Sequence, residues 1–154
     1  MNFIINTIPA KADPQKLPPK TDQLDYGRYM VNAASCIECH TPVEKGQIIE
    51  ALAFGGGREF NMPGGMLRSS NISPDSATGI GTWTEEIFIN KFRLYADSSN
   101  QVPVVKPGEF NTIMPWKMYS GMTEEDLKAI YHYLKTVKPV SNQVEKFSVH
   151  LPAK

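Results

Sequence analysis

The sequence predicts a mainly α fold, in which three to five helices are joined by long loops. Apolar residues recur at helical spacing in three segments of the chain. The 154 residues also include 11 glycines and 12 prolines, more than average usage supplies. The connections between the helices are therefore expected to be long and irregular, unlike those of a helix bundle. The length fits a single domain.

Charge and hydropathy exclude several broad classes of protein. Sixteen basic and sixteen acidic side chains give a net charge of zero, which argues against nucleic-acid binding. The 41% of apolar residues is typical of globular proteins, and no apolar run approaches the length that crosses a bilayer. The first residues lack the basic and apolar parts of a signal peptide. We therefore expect the numbering of a mature or shortened form, and removal of either a leader or a membrane anchor upstream of Met1 is consistent with this start.

Composition divides the chain into three parts. Residues 1–22 contain four prolines without any apolar periodicity, and are predicted to form an extended N-terminal arm or linker. Residues 23–140 contain the helical segments and are expected to form one domain. Residues 141–154 are predicted to form a polar C-terminal tail. Because no internal repeat is present, we expect one domain with one site.

The first helix is expected from about Leu24 to Ser35. Its apolar stripe consists of Tyr26, Tyr29, Met30 and Ala33. Gly27 lowers the stability of a helix, so it makes sense if a second helix crosses closely at that point. A glycine without any such role is equally consistent with the sequence.

Both cysteines lie in the pentapeptide Cys36-Ile37-Glu38-Cys39-His40. C-x-x-C-H is the attachment signature of c-type haem. Positions i, i+3 and i+4 share one face of a helical turn, so the two thiols and the imidazole point to the same side. We predict that Cys36 and Cys39 form thioether bonds to one haem c, and that His40 binds its iron.

Other uses of the two cysteines are less well supported. A redox-active C-x-x-C is expected beside a βαβ unit, whereas the preceding residues are helical in pattern. A structural zinc site needs four ligands, and the other histidines, His132 and His150, are distant in the sequence. A disulfide across two residues closes too small a loop to stabilise the chain much.

The residues after the motif show little periodicity as far as Gly81. Long loops of this kind are uncommon in compact domains unless they serve a function, and a haem provides an apolar surface for them. The triple glycine 55–57 lacks the G-K-[ST] ending of a phosphate-binding loop. Asp75 lacks the further acidic residues of a calcium loop.

Two more helices follow. One is expected to begin near Thr84, because Thr82 and Glu85 have capping-box spacing. The last begins after the hydroxyl cap of Thr123 and ends before Pro139. The apolar faces of the two helices consist of Phe88, Phe92 and Tyr95, and of Leu127, Ile130, Tyr131 and Leu134.

The second axial ligand of the iron determines what a haem protein does. Met114 is the best candidate, because it lies in a loop that the following proline stiffens. Spacing alone leaves Met114 equally consistent with ordinary core packing, and Met62 and Met66 remain candidates. His132 and His150 are less favoured, since one lies off the apolar stripe of its helix and the other lies in the tail.

Four segments carry a resemblance to a known family. They are CIECHT at 36–41, SNISPD…GIGTWTEE at 70–86, IMPW at 113–116 and MTEEDLKAIYHYLKTVKPV at 122–140. The chain resembles class I cytochromes c, and most of all the haem domains in cytochrome subunits of bacterial membrane-bound alcohol, aldehyde and gluconate dehydrogenases. The resemblance implies the cytochrome c fold around one covalent haem, with Met114 as the distal ligand. It also implies that the first helix crosses the last at Gly27.

The implied function is a monohaem c-type cytochrome, an electron-transfer protein without substrate chemistry. Those dehydrogenase subunits carry several haem domains, whereas this chain has a single C-x-x-C-H. A small carrier, or a one-haem domain of a larger or anchored protein, therefore fits better than a dedicated dehydrogenase subunit. The alternative is an electron-accepting cytochrome subunit or domain of a membrane-bound dehydrogenase or oxidase complex. A haem peroxidase or a gas sensor is a weaker alternative. Trp83 is a candidate hydrogen-bond donor to a haem propionate and Asn71 a candidate polar group of the haem pocket, each only slightly favoured over plain packing.

The resemblance also predicts partners and location. The expected donor is a dehydrogenase or quinol-oxidising complex, and the expected acceptor is an oxidase or another cytochrome. Such redox partners meet in small, transient contacts. Covalent haem attachment of this type takes place outside the cytoplasm, so we expect the protein in the periplasm or on the extracytoplasmic face of the membrane.

Overall fold

The computed structural model describes residues 11, 16–97, 99–100, 104–106 and 108–149. Within these ranges the chain forms five α-helices: α1 (Gln23–Ala33), α2 (Cys36–His40), α3 (Glu85–Arg93), α4 (Trp116–Tyr119) and α5 (Glu124–Thr136). Long irregular segments join these helices. The prediction of a mainly α fold with long loops is therefore confirmed. None of these helices combines the length and the apolar composition needed to cross a bilayer.

The helices α1 and α5 cross in close contact, and Gly27 lies at the crossing. A Cβ at this position would collide with the backbone carbonyl of Ala129 on α5. Val31 of α1 and Leu127 of α5 are fully buried beside the contact. The crossing that the resemblance implies is confirmed, and it explains why a residue that weakens helices is placed inside α1.

The apolar faces of α3 and α5 complete the core. The predicted stripes are buried, with Phe88 and Phe92 from α3 against Ile130 and Leu134 from α5. Tyr95 lies just beyond the end of α3 and stacks on Trp116 of α4, with ring centroids 5.0 Å apart. The core therefore connects three distant parts of the sequence and supports the loops between them.

The predicted start of α3 near Thr84 is confirmed, but the predicted cap is wrong. Thr84, rather than Thr82, caps this helix, and its hydroxyl accepts a hydrogen bond from the Ile87 N–H. Only the residue directly before the first turn can reach that amide, and Thr82 is two residues too early. At α5 the prediction is confirmed, because the side chains of Thr123 and Asp126 each bond to the backbone amide of the other.

Five short strands accompany the helices within the described ranges, and the sequence analysis predicted none of them. They are β1 (Val43–Glu44), β2 (Gln47–Ile48), β3 (Glu59–Met62), β4 (Gly65–Arg68) and β5 (Phe147–Val149). The first two form a hairpin, and the other three form an antiparallel sheet in the order β3-β4-β5. In the ladder between β4 and β5, Leu67 lies opposite Phe147.

The two ends of the chain are only partly described. Most of the predicted arm, residues 1–22, lies outside the described residues, but Lys20 forms an ion pair with Asp126 at 3.2 Å. Of the predicted tail, residues 141–149 are described, and they lie along the domain and end in β5. Both ends therefore contact the helical domain where the structure describes them.

Candidate haem-binding site

The helix α2 is one short turn that contains both cysteines and His40. Both thiols are free, with Cys36 half-buried and Cys39 exposed. Their i, i+3 spacing on a helix places them on one face, as the sequence predicts. Burial raises the pKa of the Cys36 thiol to about 11, and the neighbouring Cys39 adds to the effect. This thiol is therefore protonated at neutral pH.

A hydrogen bond fixes the imidazole of His40. Its Nδ1 lies 2.7 Å from the carbonyl oxygen of Ser70. Because a carbonyl only accepts, Nδ1 carries the proton, and the lone pair of the neutral ring is on Nε2. Burial lowers the pKa of His40 below its ordinary value, although the bond to Ser70 opposes this. The neutral ring with a free Nε2 is the form that binds a metal.

Backbone groups from a second loop hold His40 and its neighbour. The Gly56 amide donates to the His40 carbonyl at 2.8 Å. The Phe54 amide donates to the hydroxyl of Thr41, whose side chain is fully buried, at 3.2 Å. A Cβ on Gly56 would lie 2.5 Å from backbone atoms of Ser70. The triple glycine therefore lets two loops pack closely on either side of His40.

Met114 lies in the loop that precedes α4, as predicted. Its side chain is half-buried and packs against the apolar core. Its amide donates to the Thr112 hydroxyl at 3.1 Å, and its carbonyl accepts from the Trp116 amide at 2.8 Å. The other candidate methionines, Met62 and Met66, lie in β3 and β4, outside the apolar cluster that Met114 contacts. These positions favour Met114 as the thioether ligand.

Trp83 and Asn71 lie in the long loop, in different environments. Trp83 is half-buried against the core, and no described residue accepts a hydrogen bond from its indole N–H. Asn71 is buried, and its amide bonds to Ser73, Thr78 and the carbonyl of Val140. The Trp83 N–H therefore donates to no described residue, whereas the hydrogen bonds of Asn71 hold the loop in place. For both residues the role in a haem pocket stays a prediction.

His132 lies on the outer surface of α5. Its Nε2 is 2.8 Å from a carboxylate oxygen of Glu85, and its side chain is 39% exposed. This contact agrees with the prediction of a solvated helix residue and argues against iron binding. His150, the other less favoured candidate, lies outside the described residues.

The residues present fit a covalently bound haem. Two free thiols and a neutral imidazole share one helical turn, and a thioether is held in a separate loop. Half-buried apolar side chains from four segments of the chain pack against the same core as Met114. They are Ile37, Ala53, Ile72, Trp83 and Trp116. In the described part of the chain, no cluster of three or more histidine, cysteine or acidic residues offers a separate metal site.

Sequence analysis did not identify the groups that hold His40. The bond from Nδ1 ends on the carbonyl of Ser70, a backbone group that every residue possesses, so no side-chain pattern marks it. Gly56 could have been found, because a run of three glycines without a phosphate-binding ending suggests close backbone packing.

Comparison with known proteins gives a consistent result. The family model for cytochrome c matches residues 24–138. The fructose dehydrogenase cytochrome subunit of Gluconobacter japonicus is 33% identical over 84% of this chain and 24% of its own length. The gluconate 2-dehydrogenase cytochrome c subunit of Pantoea cypripedii is 34% identical over 75% of this chain and 23% of its own length. A dihaem cytochrome c-type protein of Cereibacter sphaeroides is 25% identical over 95% of this chain and 47% of its own length.

The chain spans about a quarter of the length of the dehydrogenase subunits that it matches. The predicted likeness to such subunits is confirmed, and so is the prediction of a cytochrome c electron-transfer domain. The family match runs from the start of α1 to just beyond α5, so it includes the C-x-x-C-H motif and Met114. The chain belongs to the cytochrome c family, whose members carry covalently bound haem c with its iron.

Proposed function

We propose that this chain is a monohaem electron carrier in which Cys36 and Cys39 would form the thioether bonds, and His40 and Met114 would be the protein ligands of the iron. The bound haem supplies an iron that gains and loses single electrons. One observation carries the proposal: the Ser70 carbonyl accepts a hydrogen bond from Nδ1–H of His40 at 2.7 Å, which leaves the lone pair of Nε2 for a metal. The two free thiols on the same turn support it.

Each residue contributes a separate property to the carrier. The Ser70 carbonyl keeps the His40 ring in one tautomer and orientation, and raises its basicity. The thioether of Met114 raises the reduction potential relative to other ligands. Since neither ligand leaves, little rearrangement accompanies the electron. The indole N–H of Trp83 faces no acceptor among the described residues, and we assign it to a haem propionate.

The partners follow from the relatives and from charge. The relatives named above are cytochrome subunits of dehydrogenases, which favours a dehydrogenase-side donor over a free-standing role in the respiratory chain. This chain is then the electron-accepting cytochrome domain of such a complex, with an oxidase or another cytochrome as acceptor. The net charge of zero disfavours strong long-range attraction and favours small, transient contacts. We place the protein on the extracytoplasmic side of the membrane, where covalent haem attachment occurs.

Attachment and ligation are tested on the purified holoprotein. After denaturation, haem should remain with the polypeptide of the parent and be lost from the double variant Cys36→Ala/Cys39→Ala. The oxidised parent should show the far-red absorption band of methionine-bound iron, and the reduced parent should bind carbon monoxide weakly. Pigment that separates from the denatured parent, or tight carbon monoxide binding by the parent, contradicts the proposal.

The donor is tested by reduction kinetics. A membrane-bound sugar or alcohol dehydrogenase supplied with its substrate should reduce the oxidised protein faster than free quinol does. Steady turnover of peroxide by the parent protein would instead support the peroxidase alternative.

A further inference from the structure

The residues that follow α5 bind the loop that contains Ser70. We call residues 140–149 the strap. The carbonyl of Val140 accepts hydrogen bonds from the Asn71 amide at 2.7 Å and from the Ser73 hydroxyl at 3.3 Å. The Val140 amide donates back to the same hydroxyl at 3.0 Å. Asn71, Ser73 and Val140 are all buried, so water does not compete for these bonds.

The strap also binds the loop on the other side of His40. The side-chain amide of Asn142 donates to the Gly55 carbonyl at 3.0 Å. Gly55 packs directly on Val140, because a Cβ on this glycine would lie 2.6 Å from a methyl group of the valine. The backbone amide of Asn142 donates to Thr78 at 3.0 Å. The strap therefore connects the two loops that contact His40.

The far end of the strap is anchored as well. The Arg68 amide, two residues before Ser70, donates to the carbonyl of Lys146 at 2.8 Å. Beyond it, β5 pairs with β4 along three residues. The position of the Ser70 carbonyl is thus fixed from both sides along the chain, by bonds to the strap at Arg68 and at Asn71.

We propose that the strap positions His40 for the iron, with Asn142 as a positioning residue; this rests on the proposed function, in which His40 is the iron ligand. The strap holds Gly55 and Asn71 together, and their neighbours Gly56 and Ser70 bond the backbone and the ring of His40. When the loops separate, the Ser70 carbonyl leaves Nδ1. The imidazole then becomes a weaker donor to the iron.

The test compares two neighbouring amides in the full-length holoprotein. Asn142→Ala removes the bond to Gly55, whereas Gln143→Ala removes an exposed side-chain amide that bonds to no residue of the described ranges. In the reduced Asn142→Ala protein, the Nδ1 proton of His40 should exchange with water about fivefold faster, as expected when one supporting hydrogen bond is lost. The reduction potential should rise, because a weaker imidazole stabilises the oxidised iron less. Both values should be unchanged in Gln143→Ala.

A second variant separates positioning from general stability. Asn142→Asp keeps the shape of the side chain but replaces the donor with an acceptor, which should accelerate exchange of the Nδ1 proton further than alanine does. The proposal is overturned if both Asn142 variants only lower the melting temperature and keep the proton exchange of Gln143→Ala, and if Asn142→Ala also keeps its potential. Failure of the proposed function is visible in the parent itself, whose spectrum would then lack six-coordinate low-spin iron, and the strap proposal would fall with it.

Discussion

The two sides of the candidate site are held in different ways. On the proximal side, His40 bonds through its ring to Ser70, 30 residues away in sequence, and through its carbonyl to Gly56. On the distal side, the backbone of Met114 bonds to residues only two positions away, Thr112 and Trp116, while its side chain packs against the core. Hydrogen bonds to distant residues therefore hold the backbone and ring of His40, whereas a local turn holds the backbone of Met114.

The difference indicates which ligand leaves first. A segment held by local bonds opens without disturbing the rest of the fold, while one that depends on distant loops opens only when they separate. We therefore expect Met114 to leave the iron under milder conditions than His40 does. This order is expected if the position of His40 depends on the whole fold and that of Met114 depends on one loop.

The largest expected effect comes from breaking the proximal packing. Gly56→Ala should lower the free energy of unfolding by about 3 kcal/mol, because the Cβ meets the Ser70 backbone and the position has a left-handed φ of 72°. Urea denaturation of the holoprotein measures the loss. Gly46→Ala is the matched control, since Gly46 also has a positive φ but nothing lies within 4 Å of its added Cβ. Equal losses in the two variants would show that strain, rather than the contact with Ser70, is responsible.

Removing the distal thioether should open one face of the iron and leave the fold intact. Met114→Ala should increase the carbon monoxide affinity of the reduced protein about a hundredfold, because no internal ligand competes any longer. Titration followed by absorption measures the affinity. Met118→Ala, which truncates a methionine that is 66% exposed, serves as the control. An unchanged affinity in Met114→Ala contradicts the assignment of Met114.

A change in the helical scaffold should lower the stability of the protein and alter neither side of the site. Burial alone would raise the pKa of Asp126, but hydrogen bonds from Thr123, Tyr26 and Lys20 outweigh it and keep the pKa at about 2. A lowered carboxyl pKa stabilises the fold above the ordinary value of 3.8, and this contribution is lost as the pH falls toward 2.

Asp126→Asn should therefore lower the free energy of unfolding by about 1–2 kcal/mol at neutral pH. The stability of this variant should also decrease less than that of the parent as the pH falls toward 2. Urea denaturation across this pH range measures both effects, and the far-red band should be unchanged in the folded variant. Glu125→Gln is the control, since the Glu125 side chain is 75% exposed. If the stability of Asp126→Asn decreases at low pH as steeply as that of the parent, another group is responsible for the pH dependence.

The smallest effect is expected in the distal turn. Thr112→Ala removes the hydroxyl that accepts from the Met114 amide and should ease displacement of Met114 by added imidazole about fivefold. Thr112→Ser keeps the hydroxyl and should behave like the parent. Absorption titration of the oxidised protein measures both variants. If Thr112→Ser is affected as strongly as alanine, packing of the threonine methyl group explains the effect instead.

The features that sequence predicts are those that depend on neighbouring residues. The α5 stripe, the Thr123 cap and the C-x-x-C-H turn are all encoded within a few positions, and each was predicted. The sheet was not, because Leu67 pairs with Phe147 across 80 positions, and neither strand has a clear alternation. The contacts of the strap were not predicted either, since the bonds that attach Val140 use its backbone groups, which leave no side-chain pattern.

The central claim is that His40 and Met114 would be the two protein ligands of one haem iron. Proton NMR of the reduced holoprotein tests it most directly, because a methyl group beside the iron is shifted far upfield by the haem ring current. We predict one such methionine methyl signal, lost in Met114→Ala and retained in Met62→Ala and Met66→Ala. A parent spectrum without this signal, or its persistence in Met114→Ala, would contradict the account.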